Sequence, residues 1–232
     1  MARLNSPARS AGLAAVFFAA LLSSCATSGR APARPVSGLG TLLVVPFTDM
    51  SALSGPGVTV RSPISGSVFT TGGVAEGGAE ALTRTLTASV SALGYTLASY
   101  EDAIGARSLA LDAKKGLSDK DLALETARKM GVDGVVTGFV YRYEERVGTT
   151  YAAEKPASAA FDVFLLRASD GAVIWSARFD EAQKPLSDNL LDVSAFVKRH
   201  ASWITVEEFA REGLTAKLAG FPVPGASKPQ EK

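Results

Sequence analysis

The chain has 232 residues, 47% of them hydrophobic, with 24 basic against 23 acidic side chains, one cysteine and one histidine. Its basic residues fall in scattered pairs such as Lys114-Lys115 and Lys198-Arg199, which excludes the clustered phosphate-binding face of a nucleic-acid partner. One Cys and one His exclude an internal disulfide and a zinc centre, and leave little for nucleophilic or triad catalysis.

In chain order, the first 25 residues come as an export signal. Arg3 and Arg9 stand with no acidic residue, followed by an apolar run from Leu13 to Leu22 that is short of the about 20 residues a spanning helix needs. The segment resembles a bacterial lipoprotein signal, in which Leu22, Ser23 and Ser24 fit the cleavage box and Cys25 becomes the lipid-bearing first residue. Several acyl chains, each buried methylene contributing roughly 0.8 kcal/mol, would hold such a protein stably on a membrane. The alternative is an ordinary secretory peptide that contains a thiol. By resemblance to the sorting of such lipoproteins, Ala26 implies the outer membrane, with the domain on its periplasmic face. The mature chain then has 24 minus 2, or 22, basic side chains against 23 acidic ones.

Residues 26–40 are rich in Ser, Gly, Pro and Ala without periodicity, and are expected to be a flexible tether to one domain over 41–219. Thr41 to Phe47 predicts a buried first strand that ends at Pro46. Residues 50–77 read as a long loop or embedded hairpin, with short alternating pieces at Val58-Thr59-Val60 and Ser67-Val68-Phe69. Long loops inside compact domains are often functional, so Val58, Arg61, Ile64, Val68 and Phe69 are the candidate interaction residues. Gly72 to Gly78 could offer amides to an anion, but it lacks a P-loop ending and carries Glu76, so the start of a helix is the better reading.

Leu82, Leu86, Val90 and Leu93 predict an amphipathic helix closed by Gly94, then a short strand from Tyr95 to Tyr100. Residues 101–116 give no firm signal. Ser118 with Asp121 predicts a capped helix ending at Gly131. Three strands follow, over 134–143, 159–167 and 172–180; they read as a half-buried antiparallel sheet, with Asp170-Gly171 turning the last hairpin. Helices are expected over 186–200 and from the capping box Thr205-Val206-Glu207-Glu208, then a disordered tail over 220–232. The fold class is α/β (α+β): a mixed sheet of about four to five strands with helices packed on it and C-terminal helices appended.

Candidate chemistry is sparse. His200 has no acidic neighbour in sequence and reads as surface; Trp175 and Trp203 read as buried anchors before stacking platforms. No catalytic residue, metal ligand or cofactor is expected. Acidic pairs such as Asp188 and Asp192 leave calcium open, without a loop of EF-hand type.

Leu42-Leu43-Val44-Val45-Pro46-Phe47-Thr48-Asp49, the passage from Ala127 to Gly138 and Gly171-Ala172-Val173-Ile174-Trp175 together resemble the periplasmic α/β domains of the TolB N-terminal, CsgG and LpoB group. The resemblance covers 41–182 and implies a non-enzymatic module that binds an envelope protein or self-associates. Two alternatives stay open: an oligomeric secretion channel of curli type, and a cell-wall hydrolase whose carboxylates lie on distant strands.

Overall fold

The computed structural model describes residues 35–36, 38–113, 116–148, 153–183 and 204–225. The signal segment with Cys25, the helix expected over 186–200, His200 and Trp203 lie outside the described residues.

A mixed sheet has the order β11 (Val173–Ala182), β10 (Ser158–Arg167), β7 (Gly134–Glu144), β2 (Thr41–Val44), β6 (Thr96–Leu97), with the two-residue β3 (Thr48–Asp49) also paired to β7. The strands β6, β2 and β7 run parallel, while β10 and β11 are antiparallel additions. Pro46 has no N–H to continue the ladder, so β2 stops at Val44; β3 then resumes with Thr48 opposite Phe139, four residues on where β7 has advanced only three.

One face of the sheet carries α2 (Gly78–Ala92) and α5 (Val206–Leu218), whose Leu82, Leu86, Val90, Ala210 and Leu214 pack on Leu42, Val136, Phe161 and Leu165. The other carries α4 (Asp119–Lys129), α3 (Tyr100–Ala113) and a hairpin of β4 (Thr59–Arg61) and β5 (Val68–Thr70), over Leu43, Val135, Phe139 and Phe164. The caps behave as their sequence requires: Ser118 Oγ accepts from Asp121 N–H, and Thr205 Oγ1 from Glu208 N–H. Gly171 takes φ 70° in the turn from β10 to β11, a conformation that any side chain with a Cβ would strain.

The structure corrects three expectations and fills one stretch that the sequence leaves open. The sheet is not half-buried at its centre: β7 and β10 are covered on both faces, and only β11 alternates with solvent. Residues 101–113, without a firm signal in sequence, belong to α3. Val36 and Val223 leave the expected tether and tail, because β1 (Pro35–Val36) pairs in parallel with β12 (Val223–Pro224). Phe221, also expected in the tail, is fully buried against Tyr95 and Trp175. The long insertion is ordered, as α1 (Met50–Ser54), the β4–β5 hairpin and a single parallel bridge from Val74 to Tyr143; β8 (Val147–Gly148) with β9 (Ala153–Lys155) forms another small ribbon.

Candidate interaction surface

The hairpin at 59–70 is fixed from its inner side. Phe69 is buried and stacks on Tyr141 with ring centroids 3.9 Å apart, and the Arg178 guanidinium lies 4.1 Å from the Phe69 centroid. Arg178 also donates to Val68 O at 2.9 Å and to Asp180 Oδ2 at 3.0 Å. Thr71 Oγ1 accepts from Val58 N–H and donates toward Gly55 O and Val58 O, closing the base of the hairpin.

Beyond it the chain runs along β7, where Gly72 N–H donates to Tyr141 O and Gly73 O accepts from Tyr143 N–H. A Cβ on Gly72 would meet Arg142 Cγ at 2.6 Å, so only glycine lets the backbone approach this closely. Gly73 N–H also donates to Glu144, which receives Lys155 at 2.8 Å and the Ser158 hydroxyl at 3.2 Å. Although burial works against it, the Glu144 carboxyl is held below its ordinary value by these partners.

Asp162 lies under the hairpin at 2% exposure. Its Oδ1 accepts from the Tyr141 hydroxyl at 3.1 Å, while Oδ2 has no partner of hydrogen-bonding geometry. Burial pushes the Asp162 carboxyl up to about 6, against the opposing pull of the Ser62 and Tyr141 hydroxyls and the Arg178 charge. Burial likewise raises Tyr141, and the neighbouring Asp162 charge raises it further. A perturbed carboxylate is a candidate catalytic group, but this one is closed over by the hairpin.

The sequence-derived residues therefore divide. Val58 and Val68 are each 44% exposed and Arg61 is exposed, whereas Ile64 is half-buried and Phe69 turns inward as the anchor. Arg61 donates to Gly66 O across the hairpin. Leu22, Ser23, Ser24 and Cys25 lie outside the described residues.

A second feature was not legible in the sequence. Where β2 outruns β6, two cavities of about 400 and 350 Å³ flank the carboxyl ends of these strands and share Val44, Pro46 and Tyr100 in their walls. The outer wall of the second is α3, whose Tyr100, Ile104 and Leu111 are exposed, while its Ala103 and Ala110 face inward. Among the described residues no group of three or more His, Cys, Asp or Glu side chains is placed to hold a metal ion, and no helix is long and apolar enough to cross a membrane.

No protein-family model matches the chain, and no curated protein matches it. Solved structures do. The chain is similar to the PelC dodecamer from Paraburkholderia phytofirmans, with 13% identity and a TM-score of 0.46 over 82% of this chain and 93% of that one. It is similar to the C-terminal domain of LpoB from Escherichia coli, with 21% identity and a TM-score of 0.39 over 65% and 88% of the two chains. A lipoprotein from Neisseria meningitidis is similar at 17% identity and a TM-score of 0.37, over 70% and 98%.

Proposed function

We propose that this protein is a lipid-anchored interaction module of the bacterial envelope, held to the outer membrane through Cys25, with its domain in the periplasm binding another envelope protein or a second copy of itself. The observation that carries the reading is the construction of the hairpin. Its inner side is locked by Phe69, Tyr141 and Arg178, while Val58, Arg61 and Val68 are offered to solvent on a fixed scaffold. A surface presented in this way loses little conformational entropy on binding. The strands β4 and β5 are three residues each, against the about 9–11 residues of a membrane-crossing strand, so this hairpin supports docking and not a pore wall.

The test combines two variants in cells. Cys25→Ala moves the protein from the membrane to the soluble fraction and removes its lipid label. Val58→Asp with Val68→Asp leaves the circular dichroism unchanged, since both side chains are exposed, and abolishes crosslinking to the specific species captured by the parent. Membrane retention of Cys25→Ala, or an unchanged crosslinking pattern from the aspartate pair, contradicts the reading.

A further inference from the structure

We propose that β11 pairs antiparallel, about a two-fold axis, with the β11 of a second copy of this chain. The proposal deepens the interaction reading by naming the partner, and it does not depend on the lipid.

The two edges of the sheet differ greatly. β6 is two residues long, whereas β11 is ten residues long and, among the described residues, is paired only on its β10 side. Long edges are ordinarily blunted by proline, by bulges or by charge. β11 contains no proline, and its only register shift lies at the Val173 end, opposite Leu165 and Leu166. From Trp175 onward the ladder is regular.

The pairing pattern fixes which backbone groups are free to act. Gln183 N–H donates to Ala157 O, and Ser158 stands opposite Ala182, so in an antiparallel ladder Trp175, Ala177, Phe179 and Glu181 bond inward to β10. Ser176, Arg178, Asp180 and Ala182 then direct their N–H and C=O groups outward.

Charge selects the register. A two-fold axis through Arg178 sets arginine against arginine, and one through Asp180 sets carboxylate against carboxylate. An axis through Phe179 sets Arg178 against the partner's Asp180, and Asp180 against the partner's Arg178, on the same side of the sheet. It also sets Ser176 against the partner's Ala182, so all four outward-directed residues meet their counterparts in hydrogen-bonded positions. Cross-strand pairs of opposite charge stabilise a ladder and like pairs oppose it.

Arg178 is prepared for this role. Its guanidinium is held at 3.0 Å by its own Asp180 and rests on the Phe69 ring, yet its side chain remains 46% exposed. The same guanidinium binds Val68 O, so the exposed hairpin lies along this edge and the two hairpins of a dimer would flank the axis. The interaction residues and the strand edge thereby become one surface.

The test uses the full chain in native membranes. With the axis at Phe179, Ala177 lies opposite the partner's Glu181 in a non-hydrogen-bonded pair, where Cβ atoms are about 4.5–5.5 Å apart, close to what a disulfide spans. The variant Ala177→Cys with Glu181→Cys should give, on mild oxidation, a dimer whose linked peptides join positions 177 and 181 of different chains. Ala177→Cys alone should not. Adding Ser176→Pro should abolish the dimer with the fold intact, because it removes an N–H that only the partner uses. Absence of the 177–181 link, or its persistence in the proline variant, overturns the proposal. Should the cysteine variant fail to fold, sedimentation of the parent decides: a dimer that Ser176→Pro converts to monomer supports the pairing, and equal masses overturn it. Failure of the lipid reading shows separately, as a Cys25 thiol open to alkylation in the parent.

Discussion

The two faces of the central sheet are built to different standards. The face under α2 and α5 is dry: Leu86, Val90, Val136, Phe161, Val163 and Leu165 meet with no charged group among them. The face under α3, α4 and the hairpin buries Asp162, Thr137 and Ser62, and its helix α3 leaves Tyr100, Ile104, Leu109 and Leu111 exposed. The first face is packed entirely by apolar side chains, whereas the second buries polar groups and carries large apolar side chains that stay exposed.

The largest effect that sharpens this contrast is on the dry face. Leu86→Ala removes a fully buried side chain and should cost about 3–5 kcal/mol, read as a lowered urea midpoint. A loss below about 1 kcal/mol would mean that this face is not the cohesive one.

Next comes Asp162, where the effect has the opposite sign. Its pKa rises from 3.8 to about 6 in the fold, so the folded state holds the proton more tightly than the unfolded chain. Its stabilising contribution is present below pH about 4 and is lost as pH rises through about 6, a swing of about 3 kcal/mol. Asp162→Asn should therefore be more stable than the parent by about 2–3 kcal/mol at pH 7.5, and nearly equal to it at pH 4. A variant less stable than the parent at pH 7.5 would show that the ionised carboxylate is well accommodated.

Smaller effects come from the clamp and the caps. Asp133 Oδ2 accepts from both Gly40 and Thr41 N–H at 2.8 Å, joining the start of β2 to that of β7; Asp133→Ala should cost about 1–2 kcal/mol in thermal denaturation. Thr205→Ala, capping α5 on the dry face, and Ser118→Ala, capping α4 on the other, should each cost about 1 kcal/mol. A negligible loss for Ser118→Ala alone would detach α4 from the cooperative fold.

The same contrast separates the elements that are legible in the sequence from those that are not. Elements of the dry face carry strong periodicity: Leu82, Leu86 and Val90 on α2, and Phe161, Val163 and Leu165 on β10, each spaced for one buried side. α3 was illegible because its apolar residues are spread around its circumference, with small alanines inward and large side chains outward. Asp162 reads as a solvent-side residue by alternation with Phe161 and Val163, and only the hairpin, arriving from about a hundred residues earlier in the chain, buries it. The pairing of β1 with β12 spans two residues on each side, too few for any pattern. Within the candidate surface, Val58, Arg61 and Val68 were legible as loop residues; the inward turn of Phe69 depended on Tyr141 and Arg178, which no local signal connects to it.

On the proposed reading, interaction belongs to the hairpin side of the sheet. A photo-crosslinking amino acid placed in cells at Val58 and Val68, and separately at the exposed Glu207 and Arg211 of α5, tests it directly. Discrete crosslinked species are expected from both hairpin positions and none from α5; crosslinks confined to α5, or of equal yield from both faces, would refute the proposed interaction surface.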